Sequence, residues 1–194
     1  MQTAAHSSYW SNFRSSCIPY PIFNKYHSKS DKVDCKKVLG INPNKITVLS
    51  VAGNLTEDRK GGFILKDILD DENLSHLQFI LIGRVDSKLK IPPNVKSMGF
   101  IEDDELKRIA YTSADIMLHP APIDNLPNTV IESHACGTPV LAFYTGGLPD
   151  MVVHGKNGWL VEKIDSLSII SELKKIVTTR SFEKMNSLHC EIDE

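Results

Sequence analysis

The chain has 194 residues, enough for one domain with a real core and some additional chain. Its 22 Lys and Arg against 24 Asp and Glu give a formal net charge of −2, which argues against a general nucleic-acid binder, a class that carries a basic excess. Cys17, Cys35, Cys136 and Cys190 are widely spaced and form no C-x-x-C pair, so zinc and a disulfide framework are poor readings and free thiols in a reducing cytosol fit better.

With 41% hydrophobic and 24% charged residues, the composition is that of an ordinary globular protein. The longest apolar runs are strand-sized, short of the ~20 residues a spanning helix needs. The N-terminus, MQTAAHSSYW, lacks a basic segment followed by an apolar core, so no signal peptide is read and a cytoplasmic protein is expected. Contact with the inner face of a membrane stays open, because it needs no spanning segment.

Residues 1–45 read as an N-terminal segment and linker, with SSYWSNF, a turn-like IPYPIF and a polar stretch from Asn24 to Asp34. From Ile46 short apolar runs alternate with amphipathic, helix-length ones. ITVLSVAG is β-branched, apolar and closed by glycine, the pattern of a strand buried on both faces. After Gly61-Gly62, FILKDILDD places Phe63, Ile64, Ile68 and Leu69 on one helical face. LQFILIG is the next strand, and NVKSMGF a third after the loop KIPPN.

DDELKRIAYTS is a helix, with acids in its first turn and Lys107 and Arg108 later. ADIMLHP is a fourth strand, and NTVIESHACG a helix stopped by Gly137. TPVLAFYTGG, NGWLVE and SLSIISELKKIVTT supply a fifth strand, a sixth and a last helix. The alternation predicts an α/β domain over residues 46–180, a Rossmann-like parallel sheet with helices on both faces. Residues 181–194 have weak periodicity and read as a tail that frays.

The chemistry concentrates between Asp124 and Gly158, in DNLPNTVIESHACGTPVLAFYTGGLPDMVVHGKNG. Asp124 follows a strand, and Glu132 comes after seven intervening residues, on a helix that opens near Pro127. Proline suits a first helical turn, where its missing N–H has no acceptor in any case. In a doubly wound sheet the loop after such a strand is the usual ligand crevice. There the unpaired amides of Asn128, Thr129 and Val130 would cradle an anion. Carboxylates beside them suit a ligand with both phosphates and sugar hydroxyls.

These motifs resemble the signature of the large group-one family of glycosyltransferases with the GT-B architecture. That signature runs from an acid through seven residues to a glutamate, then to ACGTPV, a glycine pair and a hydrophobic NG strand. Here they are Asp124, NLPNTVI, Glu132, ACGTPVLAF, Gly146-Gly147 and NGWLV. The DNLP form is most similar to members that build bacterial surface polysaccharides. GNLTEDRKGG matches the family's basic and lysine-glycine elements, and the likeness runs from about Ile18 to Thr178.

The resemblance implies the donor-binding half of a GT-B fold and retaining hexosyl transfer from a nucleotide diphosphate sugar. The acceptor would be a hydroxyl of a glycan or lipid-linked glycan in lipopolysaccharide, capsule or exopolysaccharide synthesis. It implies that Lys60 contacts the diphosphate with Arg59 as helper, and that Glu132 holds the ribose hydroxyls. Asp124 would touch the transferred sugar, and the segment after Leu126, Pro127 together with the amides of Asn128, Thr129 and Val130, the distal phosphate. Phe100 and Ile101 would lie near the base. No metal and no cofactor are implied, since cations and helix amides stabilise the leaving diphosphate. Two positions depart from the family: Asn54 stands where a basic residue is common, and Asp124 where glutamate is more usual.

Plainer readings stand beside these. Asp124 suits a helix cap, and Arg59-Lys60 an exposed basic pair, although Gly61-Gly62 would allow a phosphate close to the backbone. Glu132 lies among apolar neighbours, so a ligand or a cation is expected as its partner. Glu102, Asp103, Asp104 and Glu105 read as first-turn helix acids rather than a metal site. His119 borders the crevice and reads equally well as a packed strand end. His134 reads as core and His154 as loop, while Trp10, Trp159 and Tyr144 read as packing residues. No G-x-S-x-G element supports a hydrolase. A GT-B family normally completes its cleft with an N-terminal acceptor domain, which fewer than fifty residues before the first strand would not supply. An epimerase of the same architecture and a non-catalytic nucleotide-binding fragment are the alternatives.

Overall fold

The computed structural model describes Tyr26, residues 30–86 and residues 89–185. Trp10, Cys17, Cys190, the IPYPIF turn and most of the expected tail lie outside the described residues. Six strands form one sheet in which every pairing is parallel: β1 (Thr47–Asn54), β2 (Gln78–Arg84), β3 (Val95–Ser97), β4 (Ile116–His119), β5 (Val140–Phe143) and β6 (Gly158–Val161). Their order is β3-β2-β1-β4-β5-β6. The chain therefore builds outward from β1 in one direction and then returns to build outward in the other. Neighbouring β1 and β4 mark the reversal, where Val48 pairs with Ile116 and Leu49 with Met117.

Alternate residues of each strand feed opposite layers, which is why the central strands read as continuous apolar runs. Val48, Leu81, Leu118, Leu141 and Phe143 pack on one side against α2 (Gly62–Leu69) and α6 (Ser166–Thr179). Leu49, Ile80, Met117, Val140 and Ala142 pack on the other side, beneath α3 (Asp104–Ser113) and α4 (Asn128–Ala135). A four-residue helix, α5 (Leu148–Met151), follows β5. The expected parallel sheet covered on both faces is what the chain forms.

Three local details differ from the sequence pattern. In α2 the buried stripe is Ile64, Leu65, Ile68 and Leu69, at i, i+1, i+4 and i+5, while Phe63 turns outward at 48% exposed. The third strand shortens to Val95–Ser97 because it is an edge whose residues are half-buried or exposed. Tyr144, at 58% exposed, lies outside the packing in which Trp159 is buried.

Within the stretch read as linker, Lys32–Val38 forms a further helix, α1, capped by the Asp31 carboxylate. The Lys36 ammonium is buried and donates to Asp115 Oδ2 at 2.8 Å and to the Lys45 carbonyl at 2.9 Å. The Thr47 amide and Lys32 complete the shell of Asp115. Burial pulls the Asp115 carboxyl upward, but Lys32, Lys36 and the amide outweigh it and hold it below its ordinary value. This ion cluster ties α1 to the amino ends of β1 and β4, opposite the crevice. Among the described residues no helix is long and apolar enough to cross a membrane.

Candidate functional site

At the carboxyl ends of β1 and β4 the chain leaves the sheet in opposite directions, opening a crevice at the switch point. Two short connections line it. After β1 the chain makes a single 3-10 turn, Asp58–Lys60, closed by Gly61 in the left-handed region at φ 79°. After β4 a loop runs from Pro120 to Pro127 and enters α4.

Main-chain packing fixes the second loop from both sides. A Cβ on Gly61 would sit 2.1 Å from the Pro120 carbonyl oxygen, and one on Gly146 would sit 1.9 Å from that of Asp124. Gly147 comes equally close to the Asn125 carbonyl, and its amide donates to the Asp124 carbonyl at 3.2 Å. Both glycine pairs of the sequence therefore serve protein against protein. Gly61-Gly62 admits the backbone at Pro120 and Thr56, so the close approach read as room for a phosphate is already occupied.

The two loops bring Lys60 to Asp124. The ammonium donates to Asp124 Oδ2 at 2.7 Å, with side chains 23% and 15% exposed. His119, the last residue of β4, places Nε2 3.5 Å from the same oxygen. That is too long for a full hydrogen bond, and among the described residues Nε2 has no hydrogen-bond partner although His119 is 4% exposed. The ring and the ammonium, the ring first, hold the Asp124 carboxyl well below the usual carboxylate range against the opposing effect of burial.

Asp124 does not cap α4. The cap position is Pro127, with no side-chain hydrogen bond. The helix therefore presents uncapped amides, although not all three expected ones. Val130 is fully buried, and its amide donates to the Pro127 carbonyl at 3.0 Å. Asn128 and Thr129, in the first turn, line a cavity of about 130 Å³ together with Ser50, Lys60, His119 and Pro127. Ser50 Oγ is a second buried group there without a hydrogen bond. The cavity thus combines a cation with helix amides, an arrangement suited to an anion carrying several oxygens, and its wall holds two buried polar groups without hydrogen bonds among the described residues.

Other expected residues stand elsewhere. Arg59 is exposed and pairs with Glu57 at 3.2 Å. Asn54 Oδ1 accepts from the amide and hydroxyl of Thr56, at 3.0 and 2.7 Å, closing the turn after β1. Glu132 lies one turn beyond Asn128, half-buried, and accepts a hydrogen bond from the Tyr111 hydroxyl at 2.7 Å. Burial, then the Glu132 charge, raises the Tyr111 phenol well above its ordinary value, so it remains a donor. Ile101 packs against the core on the α3 side, and neighbouring Phe100 is exposed with the Arg84 guanidinium 5.8 Å from its ring centre.

Among the described residues no group of three or more His, Cys, Asp or Glu is placed to hold a metal ion. Asp104 and Glu105 lie in the first turn of α3 as expected, while Asp103 stands one position earlier and caps the helix, its carboxylate accepting from the Glu105 and Leu106 amides. His134 is buried in the core, and Cys35 and Cys136 are free thiols. Sequence reasoning missed Tyr111 and Ser50. Neither lies in a motif, and only the register of distant elements brings them to the site.

The family model described as "Glycosyl transferases group 1" matches residues 46–179. A glycogen synthase of Petrotoga mobilis is 30% identical over 144 residues, 70% of this chain and 30% of that protein. Among solved structures, sucrose-phosphate synthase from Thermosynechococcus elongatus superposes with a TM-score of 0.78 at 21% identity, over 93% of this chain and 48% of that one. HepE from Anabaena, in complex with UDP-glucose, gives 0.63 at 22% identity, over 83% and 47%. The chain spans less than half the length of each of these relatives.

Proposed function

Since this chain belongs to the group 1 glycosyl transferases, we propose that its switch-point cavity holds the diphosphate of a nucleotide sugar whose sugar is passed, with retention, to an acceptor hydroxyl. The observation that carries this reading is the convergence of Lys60, Asp124 and the first amides of α4 on one crevice. The ammonium and amides neutralise phosphate oxygens as the leaving diphosphate gains charge. Asp124, kept ionised, accepts hydrogen bonds from sugar hydroxyls. Glu132, oriented by Tyr111, holds the ribose hydroxyls. The UDP-glucose bound to HepE supports a nucleotide sugar as the ligand class. The DNLP sequence supports a growing surface polysaccharide as acceptor, offered by an acceptor-side domain.

The test is transfer itself. The chain, joined to or mixed with an acceptor-side domain, is supplied with UDP-glucose and GDP-mannose, and the product anomer is read by NMR. Transfer with retention supports the reading. Inverted product, or release of free sugar alone, counts against it.

A further inference from the structure

Asp124 offers one oxygen, Oδ2, to two neighbours at unequal distances: Lys60 Nζ at 2.7 Å and His119 Nε2 at 3.5 Å. A phosphate competes with Asp124 for the three N–H donors of the Lys60 ammonium, and turning toward it lengthens the bond to Oδ2. When it turns, a carboxylate whose side chain is 15% exposed loses its closest charged partner among the described residues. A half-buried charge stripped of its partner opposes the event that strips it. The resting bond therefore restrains ligand binding unless a second group takes the lysine's place.

His119 is built for that exchange. Its ring is buried, its Nε2 has no hydrogen bond among the described residues, and the nitrogen lies less than 1 Å beyond ordinary hydrogen-bond length from the oxygen that Lys60 would leave. It stands at the last position of β4, held by a strand paired on both sides. We propose that His119 is a positioning residue that takes over Asp124 as Lys60 turns to the donor phosphate, so that the carboxylate stays aimed at the crevice. The proposal rests on the donor-site reading given above. It assigns His119 no contact with the ligand.

The test is a double-mutant cycle by calorimetry with UDP, GDP and ADP as probes, followed on whichever binds best. H119L removes the replacement partner, and D124N removes the charge that needs one. In the wild-type background H119L weakens diphosphate binding about 10-fold, while in the D124N background it changes binding by no more than about 2-fold. H119Q, which keeps a donor, stays near wild type. A loss of equal size in both backgrounds assigns His119 a structural role or a direct phosphate contact and overturns the proposal, as does H119L binding like wild type.

Imidazole nitrogen NMR on the unaltered protein asks the same question without a substitution. The His119 Nε2 resonance moves when the diphosphate is added, and a stationary resonance at saturating ligand overturns the assignment. If none of the three diphosphates binds the wild type, the donor-site reading falls, and this inference with it. Binding without the cycle's coupling removes the inference alone.

Discussion

Lys60 and Asp124, 64 residues apart in sequence, meet at 2.7 Å across the point where the sheet reverses direction. The contact joins a cation lining the switch-point cavity to the acid on the neighbouring loop. Each is therefore the other's partner before any ligand arrives, and substitutions at the two positions have opposite effects on an anion.

Lys60→Ala removes a charge-assisted contact worth roughly 1.5–3 kcal/mol. Nucleoside diphosphate binding is expected to weaken by about 10- to 150-fold, as ~1.4 kcal/mol is a factor of ten. Isothermal calorimetry measures this directly. A variant that binds like wild type leaves the basic pair as surface decoration.

Asp124→Asn releases Lys60 from its internal partner. Nucleoside diphosphate affinity is expected to rise by about 2- to 5-fold, the scale of one partly exposed ion pair. The additional affinity for an intact nucleotide sugar is expected to fall, because an amide accepts from sugar hydroxyls less strongly than a carboxylate. Calorimetry with both ligands separates the two effects.

Diphosphate binding is expected to persist in EDTA, with ammonium and amides taking the charge that a metal takes elsewhere. Titration with and without chelator, then with added magnesium or manganese, checks it. Binding that disappears and returns with the metal points to ion bridging.

His134 gives the fold a pH dependence. Burial lowers its pKa from 6.5 to about 4, while its ring nitrogen meets the Asn157 carbonyl at 3.1 Å. The unfolded chain therefore binds a proton that the folded chain refuses between these two values. The stabilisation is full above pH ~6.5 and is lost as pH falls toward ~4, with a total on the order of 3 kcal/mol. Urea unfolding at pH 7, 5 and 4 is expected to show the decline, and His134→Gln to flatten it.

Asp115→Ala strands the buried Lys36 ammonium. Removing one member of such a pair costs about 3–5 kcal/mol. Chemical denaturation is expected to show a loss of this size. A change under ~1 kcal/mol would falsify the view that α1 is an integral part of the fold.

The sheet was legible because each central strand is largely apolar on both faces and strand-length runs alternate regularly with amphipathic, helix-length ones. The site was legible only in part, for a physical reason. Spacing along the chain identifies Asp124, Glu132 and Lys60 as residues of a known signature, yet it carries no information on which side chains meet. That Lys60 rests on Asp124, that Tyr111 holds Glu132 and that Arg59 turns to Glu57 follow from how the loops lie on one another. Helix α1 escaped notice because it is short and polar, and it joins the fold through an ion pair rather than an apolar stripe.

The glycines at 61, 146 and 147 have a thermodynamic consequence for whatever enters the crevice. By letting two neighbouring segments press on the carbonyls of Pro120, Asp124 and Asn125, they immobilise the loop between β4 and α4 during folding. Ordering a free backbone costs about 1–2 kcal/mol per residue. In this chain that entropy is surrendered once, when the sheet assembles, so the ligand does not have to supply it again at each encounter.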